Sequence, residues 1–241
     1  EIHKEYFGVL GAKKVIVTDN LKYSATALPY EGKALKELEN TTKNRPIWLY
    51  ASSHKGEESL ACDIHKRLKQ LHPDILTILV PRHPERRAEI EKDCNGLVTQ
   101  LRSKKKQINK KTDIYIADTL GELGLFYKAS DIAVIGRSLS DDGGGGHNPL
   151  EASLLDCAVI TGCNYQNQQE IFDDMLAENA AIVVNDKDAL YNTIQSLMDN
   201  EQQRKELIKA GASFAKKKAN VINHVMDELE SLFLKQDMPY I

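Results

Sequence analysis

The chain has 241 residues, 41% hydrophobic and 28% charged, with a formal net charge of −3. That is the size and composition of a soluble globular protein with a core to bury. The charge argues against a nucleic-acid binder held by bulk electrostatics. No run approaches the roughly 18 apolar residues of a membrane span, Glu1-Ile-His-Lys4 has no signal-peptide pattern, and a start at Glu1 without Met fits a piece of something longer. The four cysteines (Cys62, Cys94, Cys157, Cys163) stand singly, without a CxxC pair, as reduced thiols do. The seven His form neither HExxH nor HxH, so neither metal nor cofactor is expected.

In chain order, Lys14–Thr18 reads as a first strand, followed by a polar stretch, a helix at about Lys33–Glu39 and a linker ending near Arg45-Pro46. From there short apolar runs alternate with amphipathic stretches. Strands are predicted at Ile47–Ala51, Ile75–Val80, Asp113–Ala117, Asp131–Ile135, Ala158–Thr161 and Ala181–Val184. Helices are predicted at Glu57–Leu71, Pro84–Cys94, Leu120–Ala129, Pro149–Leu155, Gln168–Glu178, Asp188–Asp199, Gln202–Lys218 and Val221–Leu234. This rhythm implies right-handed βαβ units: an α/β, Rossmann-like parallel sheet with helices on both faces. Two parts are expected, 1–45 and 46–241. The basic run Ser103–Lys111 suits a solvated loop, or a patch drawn to anionic lipid or substrate.

Ligands of an open parallel sheet bind beyond the carboxyl ends of its strands. Four successive strand ends carry polar or small residues: Ser52-Ser-His-Lys-Gly-Glu-Glu58, Pro81-Arg-His-Pro-Glu-Arg86, Asp118-Thr-Leu-Gly-Glu-Leu-Gly124, and Gly136 through the run Gly143–Gly146 to Glu151. Glycines let a backbone approach a ligand, and Asn148 as N-cap with Pro149 at the first helical position adds a helix start. An anion such as phosphate suits this site, and a slack surface loop suits it equally. Neither GxGxxG nor GxxxxGK[ST] is present. Glu151 could accept from ribose hydroxyls or complement the helix dipole. Arg82 and His83 could meet a phosphate or base edge, or cap the next helix. Asp118–Glu122 could be a cap with an acidic first turn, although Gly121 suggests a close approach. Asp186-Lys-Asp188 has the DxD pattern of a metal-bound nucleotide sugar but reads as a cap.

Together with Asp19-Asn-Leu-Lys-Tyr23 and Gly145-Gly-His-Asn-Pro-Leu-Glu151, these segments resemble the 3-deoxy-D-manno-octulosonic acid (Kdo) transferases of lipopolysaccharide synthesis. The resemblance covers about residues 19 to 151. It implies the C-terminal, CMP-Kdo-binding half of a two-domain (GT-B) glycosyltransferase at the cytoplasmic face of the bacterial inner membrane. Lipid A precursor, membrane association and the general base would belong to an N-terminal domain, of which residues 1–45 are the tail and linker. A fragment of this kind is expected to be inactive alone.

Carried over residue by residue, the resemblance implies donor contacts from Pro81, Arg82, Leu120, Gly121, Glu122, Asn148, Pro149, Leu150 and Glu151. Ser53, His54, Ser138, Gly145, Gly146 and His147 follow with less support, and Lys22 stabilises charge during transfer. The chain departs from the family pattern at Asp19, Ser24, Lys55 and Arg137, and by the Asp141-Asp142 insertion. The competing readings are a GT-B-type UDP-sugar transferase or epimerase, and a nucleotide-binding module without chemistry.

Overall fold

The computed structural model describes residues 2–18, 20–104, 108–140 and 143–235. Asp19, the middle of the basic run, and Asp141-Asp142 lie outside the described residues. Seven strands form one parallel sheet: β1 (Ile47–Ser53), β2 (Leu76–Pro81), β3 (Thr99–Leu101), β4 (Ile114–Ile116), β5 (Ile132–Ile135), β6 (Ala158–Gly162) and β7 (Ile182–Val184), in the order β3-β4-β2-β1-β5-β6-β7. The strands are near-continuous apolar runs because both faces are covered. Alternate side chains serve opposite layers: Leu49 and Ala51 join one core cluster, Trp48 and Tyr50 the other.

On one face lie α2 (Gly32–Thr42), α5 (Leu123–Lys128), α6 (Leu150–Ser153) and α7 (Gln169–Ala177). On the other lie α3 (Glu57–Leu68), α4 (Arg87–Asp93) and α8 (Lys187–Asp199), while α9 (Glu201–Lys218) supplies Leu207 to one cluster and Phe214 to the other. The chain opens with α1 (Ile2–Val9) and its described part closes with α10 (Val221–Lys235).

The expected Rossmann-like layering is present, with differences at particular elements. Lys14–Thr18 is not a strand. It has no strand neighbour among the described residues, leaves Ile16 and Val17 exposed, and sets Ile16 beside Val225 and Leu229 of α10. Strand β3 escaped the sequence reading because three residues, Thr-Gln-Leu, carry no periodicity; it is an edge strand on β4. Pro84–Arg86 is a 3-10 turn, and helix follows only from Arg87. Helix α1 was not foreseen. The stretch expected as a polar segment, a helix and a linker packs against the sheet, since Tyr23 and Leu38 join a core cluster with sheet residues and Thr42 is buried.

The strand order reverses between β1 and β5, because β1 is followed by β2 on one side and β5 crosses to the other. Backbones there approach so closely that a Cβ on Gly136 would stand 2.3 Å from the carbonyl oxygen of Ser52. The crevice of an open α/β sheet forms at this point.

Candidate donor-binding site

The carboxyl ends of β4, β2, β1 and β5 are consecutive along one edge, spanning about 14 Å at about 4.8 Å per gap. Glu57, at the start of α3, organises its centre. Its fully buried carboxylate accepts from the backbone N–H groups of His54 (2.9 Å), Arg137 (2.8 Å), Ser138 (3.0 Å) and Leu139 (3.0 Å). One side chain thus fixes the loops after β1 and β5 together. In the sequence Glu57 is one residue of the motif after β1, and an acid at a helix start carries no hint of partners 80 residues away.

Beside it, Glu58 is also buried and accepts from Ser53 Oγ (3.0 Å) and Arg86 Nη1 (3.0 Å), joining the loop after β1 to that after β2. Burial raises the Glu58 carboxyl above its ordinary range, against the opposing pull of Arg86 and Ser53.

The glycine run is a hydrogen-bonded structure. Gly144, Gly145 and Gly146 are buried, all with positive φ, and a Cβ on Gly145 would collide with the Asn167 side chain at 2.1 Å. Gly145 N–H donates to Asn164 O (3.1 Å), Gly146 N–H to Arg137 O (3.0 Å), and Asn167 N–H to Gly145 O (2.9 Å). The slack-loop alternative therefore fails for Arg137–Ser140 and Gly144–Gly146.

Asn148 caps the following turn by accepting from Leu150 N–H at 2.9 Å; helix α6 begins at Leu150, one residue later than expected, with Pro149 already helical at φ −80°. Glu151 is half-buried, and that burial alone raises its carboxyl. His147 and His54 stack with ring centroids 5.3 Å apart and Nε2 atoms at 3.1 Å, and His83 meets His54 edge-on.

Several candidate residues are tied into the edge itself. Ser53 is buried with its hydroxyl on Glu58. Ser138 is buried too, donating to Ile135 O (2.5 Å) and accepting from Gly162 N–H (2.8 Å). The Leu150 side chain belongs to the core. Pro81 is buried within β2, opposite Ser53. Arg82 is tied by its N–H to Ser53 O (2.9 Å) and its side chain is exposed.

At the β4 end Leu120 is 80% exposed, and Gly121 adopts φ +78° with nothing within 4 Å of its Cβ position, so a left-handed turn and not crowding requires glycine there. Glu122 accepts from Arg102 Nη2 (2.6 Å) and from Thr119 Oγ1, bonds that hold its carboxyl below the ordinary range. Asp118 is no helix cap: it accepts from Ser103 N–H (2.8 Å) and Oγ (2.6 Å). Asp186 does cap α8, accepting from Ala189 N–H at 2.8 Å. A cavity of about 580 Å³ between α2 and the ends of β3 and β4 shares Thr119 and Glu122 with the edge but none of the glycine-loop residues, so it is not the crevice at the strand reversal.

The sequence profile described as "Glycosyl transferases group 1" matches residues 64–214, more than half of the chain. The chain belongs to the group 1 glycosyl transferases. Within this family it is similar to the 3-deoxy-D-manno-octulosonic acid transferase of Haemophilus influenzae, 33% identical over 229 residues, covering 90% of the chain and 52% of that protein. It is also 30% identical to that of Rickettsia bellii, over 94% of the chain and 54% of the relative. The chain thus spans about half the length of these relatives.

Among solved structures it matches the C-terminal CMP-Kdo binding domain of WaaA from Acinetobacter baumannii, with TM-score 0.72 and 30% identity over 76% of the chain and 96% of that domain. Anabaena Alr3699/HepE in complex with UDP and glucose, at 15% identity and TM-score 0.54 over 95% of the chain and 60% of that one, shares the fold. The similarity to Kdo transferases expected from the sequence motifs is borne out.

Proposed function

We propose that this group 1 glycosyl transferase chain is the donor-binding half of an enzyme that moves Kdo from CMP-Kdo to a lipid A precursor in lipopolysaccharide synthesis. The observation that carries this reading is the match to a CMP-Kdo binding domain over nearly all of that domain's length. Residues 46–241 are the donor domain, and 1–45 the tail and linker of an acceptor domain. The exposed Tyr6, Phe7, Val9 and Leu10 at α1, and Ile222 and Met226 on α10, support a seat for that neighbour. The complete protein acts at the cytoplasmic face of the bacterial inner membrane, associated through a region outside these residues. Among the described residues no helix is long and apolar enough to cross a membrane.

In this reading CMP lies along the edge. Leu120, Gly121 and Glu122 meet the base with Pro81, Glu151 accepts from ribose, and the turn from Gly145 to Leu150 flanks the phosphate, with His54 and His147 beside it. The acceptor hydroxyl attacks the anomeric carbon opposite the departing CMP, inverting it. The new C–O bond forms as the bond to the phosphate oxygen breaks, and a general base from the acceptor half takes the proton. Charge grows on the leaving phosphate, where Lys22 and Arg82 offset it.

Titration of the chain with CMP, UMP and UDP, followed by backbone NMR shifts, tests the donor. CMP is expected to bind preferentially and to perturb Gly143–Glu151. Tighter UDP binding at the same residues overturns the assignment in favour of a UDP-sugar enzyme. The chain alone is expected to leave lipid acceptor unglycosylated, and turnover by it would overturn the division into halves.

A further inference from the structure

Lys22 reaches the glycine loop through three side-chain anchors laid along one segment, residues 167–174. Asn20 Nδ2 donates to Glu170 Oε2 at 2.7 Å, Lys22 Nζ to the Asn167 carbonyl at 2.7 Å, and Tyr23 OH to Asp174 Oδ2 at 2.7 Å. Glu170 and Asp174, four residues apart, share a face in the first turns of α7, and Asn167 lies in the 3-10 turn (Gln166–Gln168) that leads into it. The last anchor is the buried one. Tyr23 is 1% exposed, its ring edge-on to Phe214 with centroids 6.3 Å apart. The Lys218 ammonium lies 4.4 Å from the Tyr23 ring centroid and donates to the same Asp174 carboxylate at 3.0 Å.

The glycine loop hangs on the same segment. Asn167 carries Lys22 on its carbonyl and Gly145 on its N–H, and Asn164 O receives Gly145 N–H. A single stretch of backbone, residues 164–167, therefore sets the distance between the lysine and the loop.

We propose that Tyr23 and Asp174 are positioning residues that pin residues 20–23 to α7 and so hold Lys22 in reach of a phosphate seated on the glycine loop. The proposal rests on the reading of Lys22 as a donor-phosphate contact. A lysine on a floating segment loses backbone and side-chain freedom when it engages an anion. Pinned on both sides by Asn20 and Tyr23, it has only its stem left to order. The Asn167 carbonyl is its resting acceptor, and an arriving phosphate offers the same ammonium a charged one.

The test compares CMP with cytidine, which lacks the phosphate, by NMR titration of the chain and its variants at one fixed salt concentration. Lys22→Met is expected to weaken CMP about tenfold and leave cytidine unchanged; no loss in this variant overturns the Lys22 reading itself. Tyr23→Phe keeps the ring against Phe214 and removes only the hydroxyl. It is expected to weaken CMP about threefold, leave cytidine unchanged, and add nothing on top of Lys22→Met. If Lys22→Met loses CMP while Tyr23→Phe binds it normally, the positioning role is overturned. Equal losses of CMP and cytidine, or additive losses in the double variant, overturn it as well, because those mark a merely structural tyrosine. Should Tyr23→Phe fail to fold, Asp174→Asn carries the same expectations and the same refutations.

Discussion

Ser52 and Arg137 stand on the two sides of the strand reversal, and both adopt the left-handed region, with φ +56° and +59°. For a side chain other than glycine that conformation costs about 1–2 kcal/mol. The site tolerates it because the Arg137 N–H must point at Glu57, whose carboxylate it reaches at 2.8 Å. A glycine would meet this conformation without strain. Arg137→Gly relieves the left-handed strain and leaves the backbone bond in place, while glycine's extra freedom when unfolded takes back about 0.5–1 kcal/mol. A gain of up to about 1 kcal/mol in urea unfolding is expected, and a loss of stability would refute the strain argument. The hydroxyls of Ser53 and Ser138 are both spent on bonds within the edge. Residue type and spacing are compatible with support or contact alike, and only the direction of the side chain separates the two.

At the scale of elements, the edge is built by loops tied to one another more than by any single loop. The Glu58–Arg86 pair joins the start of α3 to the 3-10 turn after β2, and so sets where Pro81 and Arg82 sit. Removing one partner of a buried pair leaves the other charge without compensation. Arg86→Ala is expected to cost about 3 kcal/mol in urea unfolding at pH 7 and to raise the Glu58 carboxyl further, whereas Arg86→Ala with Glu58→Gln recovers part of the loss. An unchanged stability in the single variant would show the pair to be idle. Six of the seven strands, all but the three-residue edge strand β3, are legible as elements because an apolar run buried on both faces announces itself in composition. Lys14–Thr18 has the same look, yet among the described residues no strand lies alongside it, and it packs beside α10 instead.

At the scale of the molecule, a second polar cluster closes the opposite, amino-terminal ends of the strands. His65 is fully buried, its Nδ1 2.8 Å from Thr77 Oγ1, with Asp113 beyond it held by Lys69. Burial lowers the His65 imidazole from 6.5 to about 4, against the opposing pull of Asp113. Between those values the unfolded chain binds a proton that the folded chain refuses, so stability falls as pH falls from about 6.5 to about 4. The slope is about 1.4 kcal/mol per pH unit and the whole loss about 3 kcal/mol. Urea unfolding from pH 7 to pH 4.5 should show this decline and His65→Gln should remove it; an identical decline in the variant would place the titration elsewhere.

What the sequence by itself determined was the alternation of strands and helices, the edge where polar strand ends gather, and the family likeness. Each is written in neighbouring residues: apolar runs, polar strand ends, and motifs a few residues long. What only the tertiary structure decided was which of those motif residues meet. Glu57 gathers backbone groups 80 residues ahead, Tyr23 rests on Asp174, and His54 lies on His147. Such pairings are set by strand order and by the crossover from β1 to β5, which packing both faces of the sheet selects and no local stretch of sequence encodes.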